Sequence, residues 1–219
     1  MNKHLLTYVL LAGLVASIVA LANHLRGYPF PGNQQDYAPK QPIAFSHKQH
    51  AGDLGISCVY CHYNAGKSPH AGIPPANLCM NCHNLVTASA DDIKSEKDKA
   101  HSEGRPPRPV VSAELQKLYD ALGLAMTPDG KLKEDKSKQP KAIHWVKVHN
   151  LPEYTRFDHR AHVSAGIKCQ ECHGPVEKME VIAQKSSLSM GWCVRCHKDH
   201  KEIDGKKVSP STDCAACHY

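Results

Sequence analysis

The chain has 219 residues, ten of them cysteine, a formal charge of +6, and only three Phe and two Trp against fifteen Pro and fourteen Gly. So little bulky apolar material excludes a conventional domain closed over a core of its own side chains. Without added apolar mass, this sequence would bury too little surface to fold.

Residues 1–26 read as an N-terminal membrane anchor. Leu5 to Ala22 is almost wholly apolar, with Lys3 before it and Arg26 after. As a helix, residues 5–25 reach about 31 Å, enough to cross a hydrocarbon core. Ala20-Leu21-Ala22 resembles a signal-peptidase site, and cleavage there is the competing expectation. The apolar run, however, exceeds the usual signal-peptide core of about 7–15 residues. Either way the remainder is expected on the periplasmic side of the cytoplasmic membrane, with His4 and His24 near the interface.

Residues 27–41 are rich in Pro, Gly and Asn without apolar periodicity, the composition of an extended tether. Residues 42–90 form a first Cys/His-bearing segment. Residues 91–141 are a charged insert, with the run Asp91 to Lys99, a Pro-rich bend Arg105 to Pro109, and one expected helix. That helix takes Ser112 as its N-cap, aligns Leu115, Leu118, Tyr119 and Leu122 on one face, and stops at Gly123. No ligand spacing occurs in the insert. Residues 142–219 form a second Cys/His-bearing segment.

All ten cysteines fall in five C-x-x-C-H motifs: Cys58-Cys61-His62, Cys79-Cys82-His83, Cys169-Cys172-His173, Cys193-Cys196-His197 and Cys214-Cys217-His218. This is the attachment signature of a c-type haem. Two thiols three positions apart each form a thioether to a haem vinyl group, and the adjacent imidazole lies under the iron as proximal ligand. Zinc sites combine C-x-x-C pairs in twos, and five is odd. Neither zinc nor a disulfide framework requires a His after every pair. The expectation is five covalent c-type haems, supplying the missing apolar mass. The fold class is then mostly irregular with short α-helices, a multihaem cytochrome c wrapped around five haems, plus one N-terminal transmembrane helix. Haem propionates would offset the positive charge, so +6 is no sign of a nucleic-acid partner.

A longer unit repeats. FSHKQHAGDLGISCVYCH, from Phe45 to His62, matches FDHRAHVSAGIKCQECH, from Phe157 to His173, with one residue inserted between the second His and the first Cys. Each carries an H-x-x-H, His47/His50 and His159/His162, whose imidazoles lie about one helical turn apart. These four are the expected distal iron ligands. A fifth is open among His149, Met190 and Met179, a thioether being able to raise that haem's potential. Lone methionines more often fill a core. The first cysteines are closely spaced, which sets neighbouring porphyrins in contact for electron conduction.

FSHKQHAG…CVYCH, IPPANLCMNCH, AIHWVKVHNLP, FDHRAH, CQECHGPVEKMEVIAQKSSLSMGWCVRCH and CAACHY resemble the pentahaem cytochrome c subunit of bacterial alternative complex III. The resemblance covers residues 43–90 and 142–219. It implies a membrane-anchored electron-transfer subunit, not itself an enzyme, on the outer face of the membrane. It also implies partners: an iron-sulfur subunit, quinol-binding membrane subunits, and a monohaem cytochrome c or similar acceptor. Electrons would run from quinol towards that acceptor. Two alternatives compete, a free periplasmic polyhaem shuttle and a polyhaem reductase. The reductase needs one iron with an open position, often marked by Lys replacing His, and all five motifs here keep His.

Overall fold

The chain folds as short helices and irregular segments, with few strands and very little side-chain core. This computed structural model describes residues 3–25 and 34–219. Among them only eight apolar side chains are buried, and four of those are alanine (Ala65, Ala88, Ala100 and Ala183). Large apolar groups instead stay open around the first two motifs, among them Val59, Tyr60, Tyr63, Ile73, Leu85 and Val86.

The expected anchor is one continuous helix, α1 (Lys3–Leu25). Its stretch His4–Asn23 has a mean hydropathy of 2.4 and none of it is buried, so by length and composition it can cross a membrane. Ser17 satisfies its hydroxyl within the helix, donating from Oγ to the Gly13 carbonyl at 2.9 Å. Residues 26–33 of the anchor end and tether, and the side chain of His24, lie outside the described residues. The later part of the tether is stapled down. Asp36 N donates to the Gln184 carbonyl at 2.6 Å and Gln184 N to the Tyr37 carbonyl at 3.1 Å. Gln184 is fully buried, yet its amide is satisfied: Oε1 accepts from Asn150 N at 2.8 Å and Nε2 donates to the Ser186 carbonyl at 3.0 Å.

Each C-x-x-C-H lies on a turn of helix: α2 (Cys58–Cys61), α3 (Ala76–His83), and, after the insert and α6 (His159–Ser164), α7 (Cys169–His173), α8 (Met190–Asp199) and α9 (Cys214–Cys217). Helical phase puts residues three apart on one face, so every pair of thiols points the same way. Side-chain caps start two of these five helices, α8 and α9. The Ser189 side chain accepts from Trp192 N, and Asp213 accepts from Ala215 N. A two-stranded hairpin, β3 (Glu202–Ile203) with β4 (Lys206–Lys207), links the last two motifs.

The insert contains more structure than the one helix expected. α5 (Ala113–Ala121) is that helix: Ser112 accepts from Leu115 N at 3.3 Å, and Gly123 follows at φ +68°. The charged run is a second helix, α4 (Ala90–Ser102), and residues 124–134 form the hairpin β1 (Leu124–Met126) with β2 (Leu132–Glu134). An apolar-periodicity search misses α4 because it buries only Ala100. Its N-cap was nevertheless in the sequence: Ser89 Oγ accepts from Asp92 N at 3.1 Å and donates to Asp92 Oδ2 at 2.6 Å. The Pro-rich bend is tied to α4, where Glu96 receives Arg105 at 2.6 Å and Arg108 N at 2.8 Å.

Candidate haem-binding site

The repeated units have closely matching local geometry. In the first, the Phe45 ring is edge-on to His47 (5.0 Å, 86°) and stacked on His50 (4.3 Å, 27°). In the second, Phe157 is edge-on to His159 (4.8 Å, 89°) and stacked on His162 (4.6 Å, 24°). His50 Nδ1 is 2.8 Å from the Ser46 carbonyl, and His162 Nδ1 is 2.8 Å from the Asp158 carbonyl. Both units then turn through a left-handed glycine, Gly55 (φ +64°) or Gly166 (φ +90°), conformations that suit a residue without Cβ. The inserted residue is absorbed by helix type. Unit two uses α6, whereas unit one makes a π-helical turn, Lys48–Asp53, with Leu54 N donating five residues back to Gln49. One extra residue per turn is what a π-bulge accommodates. The phase is therefore restored: Ile56 N reaches the His50 carbonyl and Ile167 N the His162 carbonyl.

The second His of each H-x-x-H faces the His of the C-x-x-C-H motif after its own. The ring centres of His50 and His83 are 6.1 Å apart, and those of His162 and His197 are 6.0 Å apart. His159 faces the His of its own motif, His173, at 6.3 Å with the rings 5° from parallel. These spacings fit a metal atom held between two imidazoles. Two metal–nitrogen bonds of about 2 Å, with each nitrogen about 1 Å from its ring centre, span about 6 Å.

Tautomers fit as well. A ligating imidazole ordinarily donates its other N–H to a carbonyl or carboxylate, which fixes the free nitrogen and the ring orientation. Besides His50 and His162, Nδ1 lies against a backbone carbonyl in His62 (Gly72, 2.7 Å), His83 (Val86, 2.8 Å), His159 (Pro69, 2.8 Å) and His197 (Ser211, 2.5 Å). Each of these rings keeps Nε2 for a metal. Nothing in the sequence flagged Pro69, Gly72 or Ser211, because a backbone acceptor has no side-chain signature.

His47 and His173 are set apart. His47 Nδ1 is the one buried side-chain nitrogen or oxygen without a partner among the described residues. Burial, with the neighbouring His62 and His50, lowers its pKa to about 4, so the ring stays neutral and able to bind a metal at physiological pH. Burial, then His149 and His159, likewise lowers His173 to about 4. His173 Nδ1 rests at 3.0 Å on His149 Nε2, an imidazole where the other rings have a carbonyl. Of the candidates for a fifth ligand, His149 thus sits behind His173. Met179 is buried beside Gly174, and Met190 is 65 % exposed at the start of α8. His218 stacks near Tyr154 at 5.9 Å, and no ring contact among the described residues pairs it with a second imidazole.

The ten cysteines form no disulfide. Burial pushes the thiols of Cys61, Cys79, Cys169, Cys172, Cys193 and Cys196 upward, Cys172 to about 11 with the nearby Cys196 and Cys193 adding to the shift. Such thiols are poor thiolate ligands and poor nucleophiles. No cluster of three or more His, Cys, Asp or Glu able to hold a metal ion by itself occurs among the described residues. The donor set suits a prosthetic group that uses both thiols covalently and one imidazole on each face.

Two family models match the chain, and they fall on its two Cys/His-bearing segments. Residues 29–109 match the class III cytochrome c family, and residues 155–219 match cytochrome c7 and related cytochromes c. The chain is also similar to the multiheme cytochrome c subunit of menaquinone reductase from Nitratidesulfovibrio vulgaris strain Hildenborough. The two are 23% identical over 201 residues, 82% of this chain and 77% of that protein. These matches give the chain the function of a multihaem c-type cytochrome, electron transfer by covalently bound c-type haem, in a non-enzymatic role.

Proposed function

We propose that this chain is a membrane-anchored pentahaem cytochrome c subunit that relays electrons between a quinone-reactive membrane assembly and a periplasmic partner. The observation that carries this reading is the set of three facing imidazole pairs, with the second nitrogens of five of the six rings against backbone carbonyls and that of His173 against His149. That arrangement suits closed, six-coordinate irons, which exchange electrons and leave no position for a substrate, unlike a reductase iron. Bound haem supplies a one-electron Fe(III)/Fe(II) couple at each motif.

The chain's own residues do the rest. The cysteine pairs of the five motifs attach the groups, and His62, His83, His173, His197 and His218 are the proximal ligands. Distal ligands are His47 for the first motif, His50 for the second, His159 for the third and His162 for the fourth. Repeat symmetry supports His47: its counterpart His159 faces the His of its own motif, and His62 is close enough to His47 for its charge to depress the His47 pKa. The fifth is drawn from His149, Met190 and Met179. Helix α1 would hold the subunit at the cytoplasmic membrane with its haem-bearing segments on the periplasmic side, next to the iron-sulfur and quinone-binding subunits of an alternative complex III-like assembly. A monohaem cytochrome c is the proposed acceptor for electrons leaving quinol.

A second direction has its own support, because the relative is named as part of a menaquinone reductase. Intact mass of the denatured protein is expected to show five retained haems, and four or fewer would leave a motif empty. Mixing the oxidised membrane complex with menaquinol, and the reduced complex with menaquinone, separates the directions. Rapid haem reduction by menaquinol supports outward flow, and rapid haem oxidation by menaquinone supports the reverse.

A further inference from the structure

The five motifs are numbered along the chain, but their contacts run in another order. Motif two touches motif one: Asn81, inside the second C-x-x-C-H, donates from Nδ2 to the Tyr60 hydroxyl inside the first at 3.0 Å. The facing rings of His50 and His83 join the same two segments. Motif one in turn lies against the unit of motif three. The Pro69 carbonyl accepts from His159 N at 3.1 Å and faces His159 Nδ1 at 2.8 Å. Lys48 N donates to the Met179 carbonyl at 2.9 Å, and a Cβ at Gly66 would sit 3.7 Å from Val163. The thiol of Cys169 lies beside that of Cys58.

From motif three the contacts continue in chain order. His162 faces His197 of motif four at 6.0 Å, and the Cys172 thiol neighbours Cys196 and Cys193. His197 Nδ1 meets the Ser211 carbonyl, just ahead of motif five, at 2.5 Å, and Cys193 neighbours Cys217. One end, motif two, lies under the insert: the fully buried Tyr119 of α5 donates to the His83 carbonyl at 2.6 Å. The other end, motif five, reaches the exposed Tyr219.

We infer that the electron path through this chain runs in the spatial order second, first, third, fourth, fifth motif. Its ends are His83, under the insert, and His218, at the C-terminal residues. The inference rests on the proposed reading that all five motifs carry haem. It assigns the insert a place that composition did not reveal, as the cover of one terminus of the path.

Distal variants of the haem-loaded complex test it. His50→Ala frees the iron of motif two and His159→Ala that of motif three, and carbon monoxide then holds the freed iron in the ferrous state. A clamped charge shifts the midpoint potentials of its immediate neighbours most. In His50→Ala, carbon monoxide is expected to shift one other midpoint, and in His159→Ala two. Two shifted midpoints in His50→Ala, or one in His159→Ala, would overturn the order. Failure of either variant to bind carbon monoxide counts against the distal assignment instead. Iron positions in a structure of the unmodified haem-loaded complex then decide the order. They uphold it if the motif-three iron has the motif-one and motif-four irons as nearest neighbours, and overturn it if the motif-two iron is one of them.

Discussion

The two H-x-x-H units differ by one inserted residue, and that residue changes the backbone geometry while the imidazole rings keep their placement. Unit two closes its turn as α-helix, and unit one as π-helix. In both, the Phe ring, the Nδ1 contact of the second His and the left-handed glycine stay in place. A free linker would let the extra residue displace the imidazoles, but a bulge confines it to one turn. The constraint therefore lies in the placement of the rings, and the helix type follows from it.

The largest expected effect comes from breaking the equivalence at its metal-facing end. His47→Ala, His50→Ala, His159→Ala and His162→Ala should each leave five haems attached, since attachment uses the cysteines. Each should turn one haem high-spin and able to bind carbon monoxide. Optical and magnetic spectra check this, and a wholly low-spin variant that binds no carbon monoxide would remove that residue from the ligand set.

A smaller effect should separate the units. A Cβ at Gly52, in the π-helical turn, would collide with the carbonyl oxygen of Glu177, which lies just past the third motif. Gly52→Ala is therefore expected to cost about 1–3 kcal/mol through overpacking. Ser164→Ala, at an exposed position in the matching turn of unit two, should change stability by less than about 0.5 kcal/mol. Denaturant midpoints of the haem-loaded proteins compare the two, and equal costs would mean that the π-helical turn is not packed as described.

Phe45→Leu and Phe157→Leu should behave alike, each losing about 0.5–1.5 kcal/mol of ring-stacking energy beyond the area lost. Unequal losses in a thermal melt would show that the matching ring geometry hides different packing.

The smallest effect lies outside both units. Arg105, with Arg108 N, holds the Glu96 carboxyl down to about pKa 2, and the pair is partly exposed. A lowered carboxylate pKa stabilises above the ordinary carboxylate range, and this contribution disappears as pH falls towards 2. Proteolysis of the insert should accelerate only on that acid side, and Glu96→Gln should show the faster cleavage already at pH 7.

Sequence and structure divide the work along a physical line. Local chemistry was legible in the sequence: the five thiol pairs with their adjacent His, the H-x-x-H repeat and its inserted residue, the apolar span of α1, and the caps of α5. Each depends on spacing along the chain, which one turn of helix converts into shared direction. Tertiary structure alone decided which imidazole faces which, because those pairs join residues far apart in sequence. It also decided the carbonyls at Pro69, Gly72 and Ser211 that orient the rings, since every residue but proline has the same backbone groups and none announces its partner. The same holds for the insert. Its helix α4 is visible only in a cap, and its position over His83 depends on one buried hydroxyl, Tyr119, finding a carbonyl distant in sequence.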